Sequence, residues 1–332
     1  MALPSVQRVF LESIASSSDP EGRFIEVNGI QTYYKKVIPQ SHKHLLQNQH
    51  FIPNETNKPV ILLLHHILGN LYTWRHHMQP LADATGCHVI AYDRPTFGFT
   101  ERPTKWEEGQ NPYTQEASVD FAVQLVANLG YKNRKIAFAG VSGGGGIICA
   151  IAIKYPDLVH SLILIAPSIR PEDQGPPPIG RHILGSAPGR LFIKIALYQY
   201  LPLTLFYHNT NSIPDWETVV KPTYRVPLTL PNFYESFSWL MKYFVPLNIL
   251  PNKDILTQKP ILYISGDDDR YLHVDKHREV FDEIASTPTS STSHPNFKME
   301  FKVINECGHL PQDEKPQEVL NSIIDFLISL QI

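Results

Sequence analysis

Short apolar runs, each bounded by turn residues, recur along the chain and predict strands. Phe24 to Val27 and Ile30 to Val37 flank Asn28-Gly29, a strong signal for a two-residue hairpin turn. Val60 to Leu64 is apolar at every position, as expected of a strand covered on both faces. Further runs stand at His88 to Tyr92, Ile136 to Ala139, Leu162 to Ile165, Ile261 to Ser265 and Phe297 to Ile304. Segments compatible with helix lie between them: Thr73 to Thr85, Gln115 to Leu129, Ile147 to Tyr155, Asp275 to Ile284 and Pro316 to Leu330. In the second, Val119, Ala122, Val123 and Val126 share one side, and Gly130 closes the helix. Repeated strand–helix alternation predicts an α/β fold, a mostly parallel central sheet with helices on both faces.

Two stretches break the rhythm. Pro39 to Lys58 is polar and predicts an inserted surface loop. From Ser168 to about Pro251 prolines and aromatics crowd together, and alternation resumes only at Ile261. The chain therefore divides into a core, residues 1–167 and 252–332, and an insertion, residues 168–251, covering the sheet. Helices are expected within the insertion at Arg190 to Tyr200 and Phe233 to Phe244. Its aromatics fit two readings, an apolar pocket or simply the insertion's own core. Met1 to Ser18 suits a short amphipathic helix packed on the domain, with Val6, Val9, Phe10 and Ile14 on one side. One basic residue there, Arg8, beside Glu12, argues against a transit peptide.

Composition narrows the class. With 332 residues, 42% hydrophobic and 18% charged, the chain can bury a large core. A net charge of −3 gives no basic footprint for nucleic acid. Cys87, Cys149 and Cys307 are odd in number and far apart, so they form neither a metal pattern nor a disulfide framework. A reducing compartment, the cytoplasm, follows as the expected location. No segment reaches the roughly 18 apolar residues that span a bilayer. Leu191 to Tyr207 comes nearest, interrupted by Lys194, Gln199 and Pro202, and leaves contact with a membrane surface as one reading.

The candidate chemistry centres on Gly140-Val141-Ser142-Gly143-Gly144, set between an apolar run and a helical segment. Strand, Gly-x-Ser-x-Gly, helix is the pattern of a nucleophile elbow. A serine at so sharp a turn takes a rare backbone conformation. Two residues to either side the chain approaches itself, and glycines stand at both places. The first free N–H groups of the following helix would then point at whatever Ser142 attacks. A phosphate cradle is the rival reading, but no Gly-Lys-Ser/Thr follows and no acid ends the next strand.

A serine nucleophile needs a base, and the base an orienting acid. Open α/β sheets place such groups at the carboxyl ends of strands. Asp267, Asp268 and Asp269 follow the run at 261–265, and on spacing alone they compete with each other and with a simple solvated turn. His309 follows the last strand, in Asn305-Glu306-Cys307-Gly308-His309. The order Ser, Asp, His is that of this catalytic arrangement. The loop His65-His66-Ile67-Leu68-Gly69 could supply a donor to an oxyanion, beside the N–H of Gly143.

These motifs together resemble the α/β-hydrolase fold superfamily, in its form with a lid between strands six and seven. The resemblance runs from about Phe24 to Leu330 and is weakest in the insertion. Leu64 to Gly69 is similar to the family's His-Gly-x-x-Gly oxyanion loop, and Tyr92 to Thr100 to its Asp-x-Arg-Gly-x-Gly-x-Ser loop. Gly266 to Asp269 resembles its Gly-x-x-Asp turn, which selects Asp269. Gly308-His309 with Glu314 and Pro316 resembles its terminal motif. The family resemblance implies an α/β-hydrolase fold with an inserted helical lid. It also implies a Ser142–His309–Asp269 triad, an oxyanion hole from the N–H groups of Gly143 and Ile67, and no cofactor or metal.

Three departures bear on the substrate. His66 replaces the oxyanion-loop glycine, which would be strained if that position needs positive φ. Thr96 replaces another glycine, and Val141 precedes the serine. His66 and Val141 are thus candidate substrate-contacting residues. Serine at the nucleophile position argues against dehalogenase or epoxide hydrolase activity, whose enzymes use aspartate there. The expected reaction is cleavage of a lipophilic carboxylic ester through an acyl-enzyme, as in carboxylesterases and lipases. Carbon–carbon bond hydrolysis by the same triad is an alternative. A ligand receptor without turnover is another, which only His66 invites.

Overall fold

A computed structural model describes residues 21–42, 58–170, 182–183, 185–199, 206–208, 211, 215, 225–287 and 298–332. The helix expected at residues 1–18, most of the polar loop at 39–58 and much of the insertion lie outside these residues.

Eight strands form one sheet: β1 (Arg23–Val27), β2 (Ile30–Val37), β3 (Val60–Leu64), β4 (Val89–Tyr92), β5 (Ile136–Val141), β6 (Val159–Ile165), β7 (Ile261–Gly266) and β8 (Met299–Ile304). Their spatial order is β1-β2-β4-β3-β5-β6-β7-β8. The β1–β2 hairpin and the β2–β4 pair are antiparallel, and every other pairing is parallel. Asn28 and Gly29 both take positive φ in the hairpin turn, as a type I′ turn requires.

The central strands are apolar throughout because both faces are covered. Ile61, Leu63, Ala137, Ala139, Leu262 and Ile264 point to one face. There they meet α1 (Met78–Thr85) and α7 (Pro316–Ser329) through Leu81, Ile323 and Phe326. Val60, Leu62, Leu64, Ile136, Phe138 and Tyr263 point to the other. That face carries α2 (Gln115–Val126), α3 (Gly143–Lys154) and α6 (Val274–Ala285), through Leu125, Ile148, Ile151 and Ile284.

Two helix starts differ from expectation. Asn70 caps a separate 3-10 turn at Leu71–Trp74, so α1 begins only at Met78, with Pro80 in its first turn. Helix α3 begins at Gly143, four residues before the expected Ile147. Glycine is a poor helix former, but tertiary packing decides here. A Cβ on Gly144 would lie 2.5 Å from the Leu64 carbonyl oxygen, and one on Gly145 2.5 Å from Pro167 Cβ. Only a helix without side chains at these two positions can sit this close to the strand ends.

Between β6 and β7 the described part of the insertion holds α4 (Ala187–Gln199) and α5 (Phe233–Tyr243), which pack together. Ile193, Leu228, Phe233, Phe237 and Leu240 form a buried cluster with Phe97 and Tyr113 of the core. Phe233 and Phe237 stack at 5.6 Å. Many of the aromatics therefore serve the insertion's own packing. Leu191, Phe192 and Ile195 of α4 remain exposed. No helix among the described residues is long and apolar enough to cross a membrane.

Candidate active site

The carboxyl ends of β3, β4, β5, β7 and β8 converge at one rim of the sheet. Ser142 follows β5 directly, with φ 51° and ψ −119°. A residue in that strained region persists only when its surroundings hold it. Here the Ser142 N–H donates to the Ile165 carbonyl at 2.9 Å, and its carbonyl accepts from Ser168 N–H at 2.8 Å. The close approach expected of the flanking glycines is present: a Cβ on Gly140 would lie 2.6 Å from the Gly144 backbone.

Ser142 Oγ lies 2.9 Å from His309 Nε2. On the far side of the ring, His309 Nδ1 lies 2.7 Å from Asp269 Oδ2. The carboxylate fixes the tautomer with the proton on Nδ1, leaving Nε2 to accept from the serine. Asp269 is almost fully buried, and its Oδ1 accepts from Tyr271 N–H at 2.9 Å and Leu272 N–H at 2.8 Å. Burial alone would raise its carboxyl, but the bond and charge of His309, with the Leu272 N–H, hold it below the ordinary carboxylate range. The neighbouring acids are occupied elsewhere. Asp267 accepts from Cys307 N–H at 3.1 Å, and Asp268 pairs with Arg270 at 2.8 Å and His208 at 2.9 Å.

Sequence reasoning missed two supports of this chain. His277, on α6, places Nε2 3.9 Å from Asp269 Oδ2, while Tyr263 bonds its Nδ1. Phe206, in the insertion, accepts from the His309 N–H at 2.7 Å. Glu314 ties the same region together, accepting from Gly308 N–H at 2.7 Å and His208 N–H at 2.9 Å. Phe206 reaches His309 from far away in the chain and His277 reaches Asp269 from the next helix, and no local motif signals either contact.

At the end of β3 the loop differs from expectation. His66 does not take positive φ; Leu68 does, at 67°. His66 instead folds back inside the loop, its Nδ1 2.8 Å from the Ile67 carbonyl and its Nε2 3.4 Å from Thr73 Oγ1. A Cβ on Gly69 would meet that ring at 2.7 Å. Burial holds the His66 imidazole down to about 3, so it is neutral. Ile67 reaches Gly143, where a Cβ would touch Ile67 Cγ1 at 3.0 Å, so the two residues expected to supply oxyanion donors are neighbours. The Gly143 N–H opens α3 and has no acceptor within the helix. Val141 is fully buried in the core on the α1 and α7 face. Thr96 does carry strain, with φ 91°.

The sequence matches the alpha/beta hydrolase family over residues 61–322, most of the chain. The chain belongs to the alpha/beta hydrolase family. Among its relatives, epoxide hydrolase 3 of Xenopus tropicalis is 24% identical over 84% of this hydrolase-family chain and 74% of its own. The 2-hydroxymuconate semialdehyde hydrolase of Pseudomonas putida is 24% identical over 72% of this chain and 76% of its own. A thermophilic esterase from Thermogutta terrifontis shares the fold with a TM-score of 0.68 at 20% identity, over 94% of this chain and 99% of its own.

Proposed function

We propose that the protein is a serine hydrolase that cleaves carboxylic esters. The reading rests on one observation, the unbroken chain from Ser142 Oγ through His309 to Asp269 at 2.9 and 2.7 Å. In this reading His309 takes the serine proton as Oγ attacks the ester carbonyl. The tetrahedral oxyanion is met by the N–H groups of Gly143 and Ile67. His309 then protonates the departing alcohol, leaving an acyl group on Ser142. Water, deprotonated by His309, attacks the acyl-enzyme, and the acid leaves with the serine proton restored. Asp269 holds the imidazole tautomer and stabilises its cation throughout. Each oxyanion donor contributes about 3–4 kcal/mol to lowering the barrier. The chemistry needs no cofactor.

Residues 168–251 act as the lid in this reading. Tyr113, Ile147, Leu240, Phe244 and Leu247 give an apolar lining to a cavity that reaches Gly143, which supports a substrate with an apolar part. Epoxide opening, named for one relative, is disfavoured because serine stands at the nucleophile position. Carbon–carbon bond hydrolysis is the second reading, favoured by the semialdehyde hydrolase relative. Turnover of simple alkyl esters against vinylogous diketones separates the two. A fluorophosphonate probe tests both against a receptor without turnover: Ser142 labels in an enzyme, and absence of labelling in folded protein sinks the hydrolase reading.

A further inference from the structure

Arg94, in the loop after β4, is a buried cation with no matching anion among the described residues. It is 6% exposed, and its Nε and Nη2 are buried without a hydrogen-bond partner. The ring of Phe97 lies under the guanidinium, 5.1 Å from Cζ, which offsets only part of the cost of burying a charge. Arg102, buried nearby, is different: it donates to the carbonyls of Thr96 and Gly98 and feels the charge of Asp93. Asp93 is turned away from Arg94, its two oxygens accepting from Leu71 N–H and Phe99 N–H, each at 2.7 Å. Burial lowers Arg94 to about 10, with only Tyr92 acting to raise it, so it stays charged at neutral pH.

Arg94 lines a cavity that reaches Gly143, the residue after Ser142, together with Gln115, Ser118 and Ser168. The N-terminus of the 12-residue α3, which favours negative charge, opens onto the same space. The cavity measures about 30 Å³, room for a pair of oxygen atoms. A guanidinium edge matches the two oxygens of a carboxylate.

We propose that Arg94 is a substrate-binding residue and that the preferred substrate is an ester carrying a free carboxylate, bound by Arg94 beside Ser142. The proposal rests on the ester hydrolase reading and names its substrate class.

Three methyl esters of equal chain length test it: methyl hexanoate, monomethyl adipate and methyl 5-phosphonopentanoate. In the wild-type protein kcat/KM for the adipate ester should exceed that for the hexanoate by about 30-fold, the scale of one buried charge pair. Arg94→Met should erase that preference by lowering kcat/KM for the adipate ester about 30-fold more than for the hexanoate. Arg94→Lys, which keeps the charge, should retain part of it and serves if the methionine variant does not fold. Equal or better turnover of the hexanoate by the wild type overturns the proposal. So does a loss in Arg94→Met that is the same for both esters. A preference for the phosphonate ester overturns the carboxylate assignment. If none of the esters is turned over, the hydrolase reading itself fails, and binding to Ser142→Ala protein decides the role of Arg94. There monomethyl adipate should raise the melting temperature more than methyl hexanoate, and adding Arg94→Met should abolish the difference. No difference in the Ser142→Ala protein overturns the proposal.

Discussion

The main-chain N–H of His309 donates to the carbonyl of Phe206 at 2.7 Å, so a residue of the insertion holds the base of the candidate triad. Phe206 also sets its ring 5.9 Å from the imidazole, with Tyr271 at 5.0 Å on another side. Gly308 makes the approach possible. A Cβ there would lie 2.6 Å from the Phe206 oxygen and 2.8 Å from His208 N. Gly308→Ala should push the insertion off the histidine loop. The expected outcome is a fall in kcat of at least about tenfold with the rest of the fold retained, since small misplacements are costly in catalysis. Unchanged kcat would show that the contact does not position His309.

Ser142→Ala should abolish ester turnover, a loss of about 10⁶-fold, with an unchanged circular dichroism spectrum. Asp269→Asn should cost about 10⁴-fold by letting the imidazole adopt the wrong tautomer. Asp268→Asn, whose side chain pairs with Arg270 and His208, should leave kcat near the wild-type value. If Asp268→Asn were the more damaging of the two, the orienting acid would be misassigned.

Acid should destabilise the fold before most carboxylates titrate. Among the described residues, five histidines besides His309 are buried: His65, His66, His77, His88 and His277. Burial lowers each below its ordinary 6.5, to about 3 in His66 and His77, about 4 in His88 and His277, and far down in His65. In the unfolded chain they take up protons near pH 6.5, but in the fold only near pH 4 or below. The unfolded state therefore binds more protons in that window, and stability falls as pH drops through it. Asp93, raised to about 7 by burial, works the other way between about pH 4 and 7, but it is one group against five. Thermal melts at pH 7.5, 6 and 5 should show a steady decline. A flat profile to pH 5 would contradict these assignments.

Asp313 is an anchor rather than part of the chemistry. Its Oδ1 accepts from Arg75 Nη1 at 2.6 Å, with Asp313 1% and Arg75 13% exposed. The pair fastens the turn after β3 to the turn after His309. Asp313→Ala should cost about 3–5 kcal/mol, because it strands a buried guanidinium. Urea unfolding checks this; a change within about 0.5 kcal/mol would mean that solvent already screens the pair.

Much of the architecture was legible because burial on both faces writes itself as uninterrupted apolar strands, as at Val60–Leu64 and Ile261–Gly266. The elbow was legible because its backbone demands glycine at two fixed places. Where α3 starts was not, since glycine's low helix propensity concealed a tertiary reason for the glycines at 144, 145 and 146. Strain in the oxyanion loop was expected at His66 and is found at Leu68, because a motif marks the residue that changed and not the dihedral that compensates. Arg94 could be seen as part of a loop motif. Its lack of a partner is a property of three-dimensional neighbours, and no spacing reveals it.

The glycines around Ser142 have a genetic corollary. Every missense change one base away from a glycine codon introduces a β-carbon. At Gly140, Gly144, Gly145 and Gly146 that atom would find another within 2.8 Å. At Gly143 the nearest neighbour, at 3.0 Å, is the side chain of Ile67, which can move aside. Mutational scanning of this stretch should find a block of codons closed to drift, with a single tolerant gap directly after Ser142.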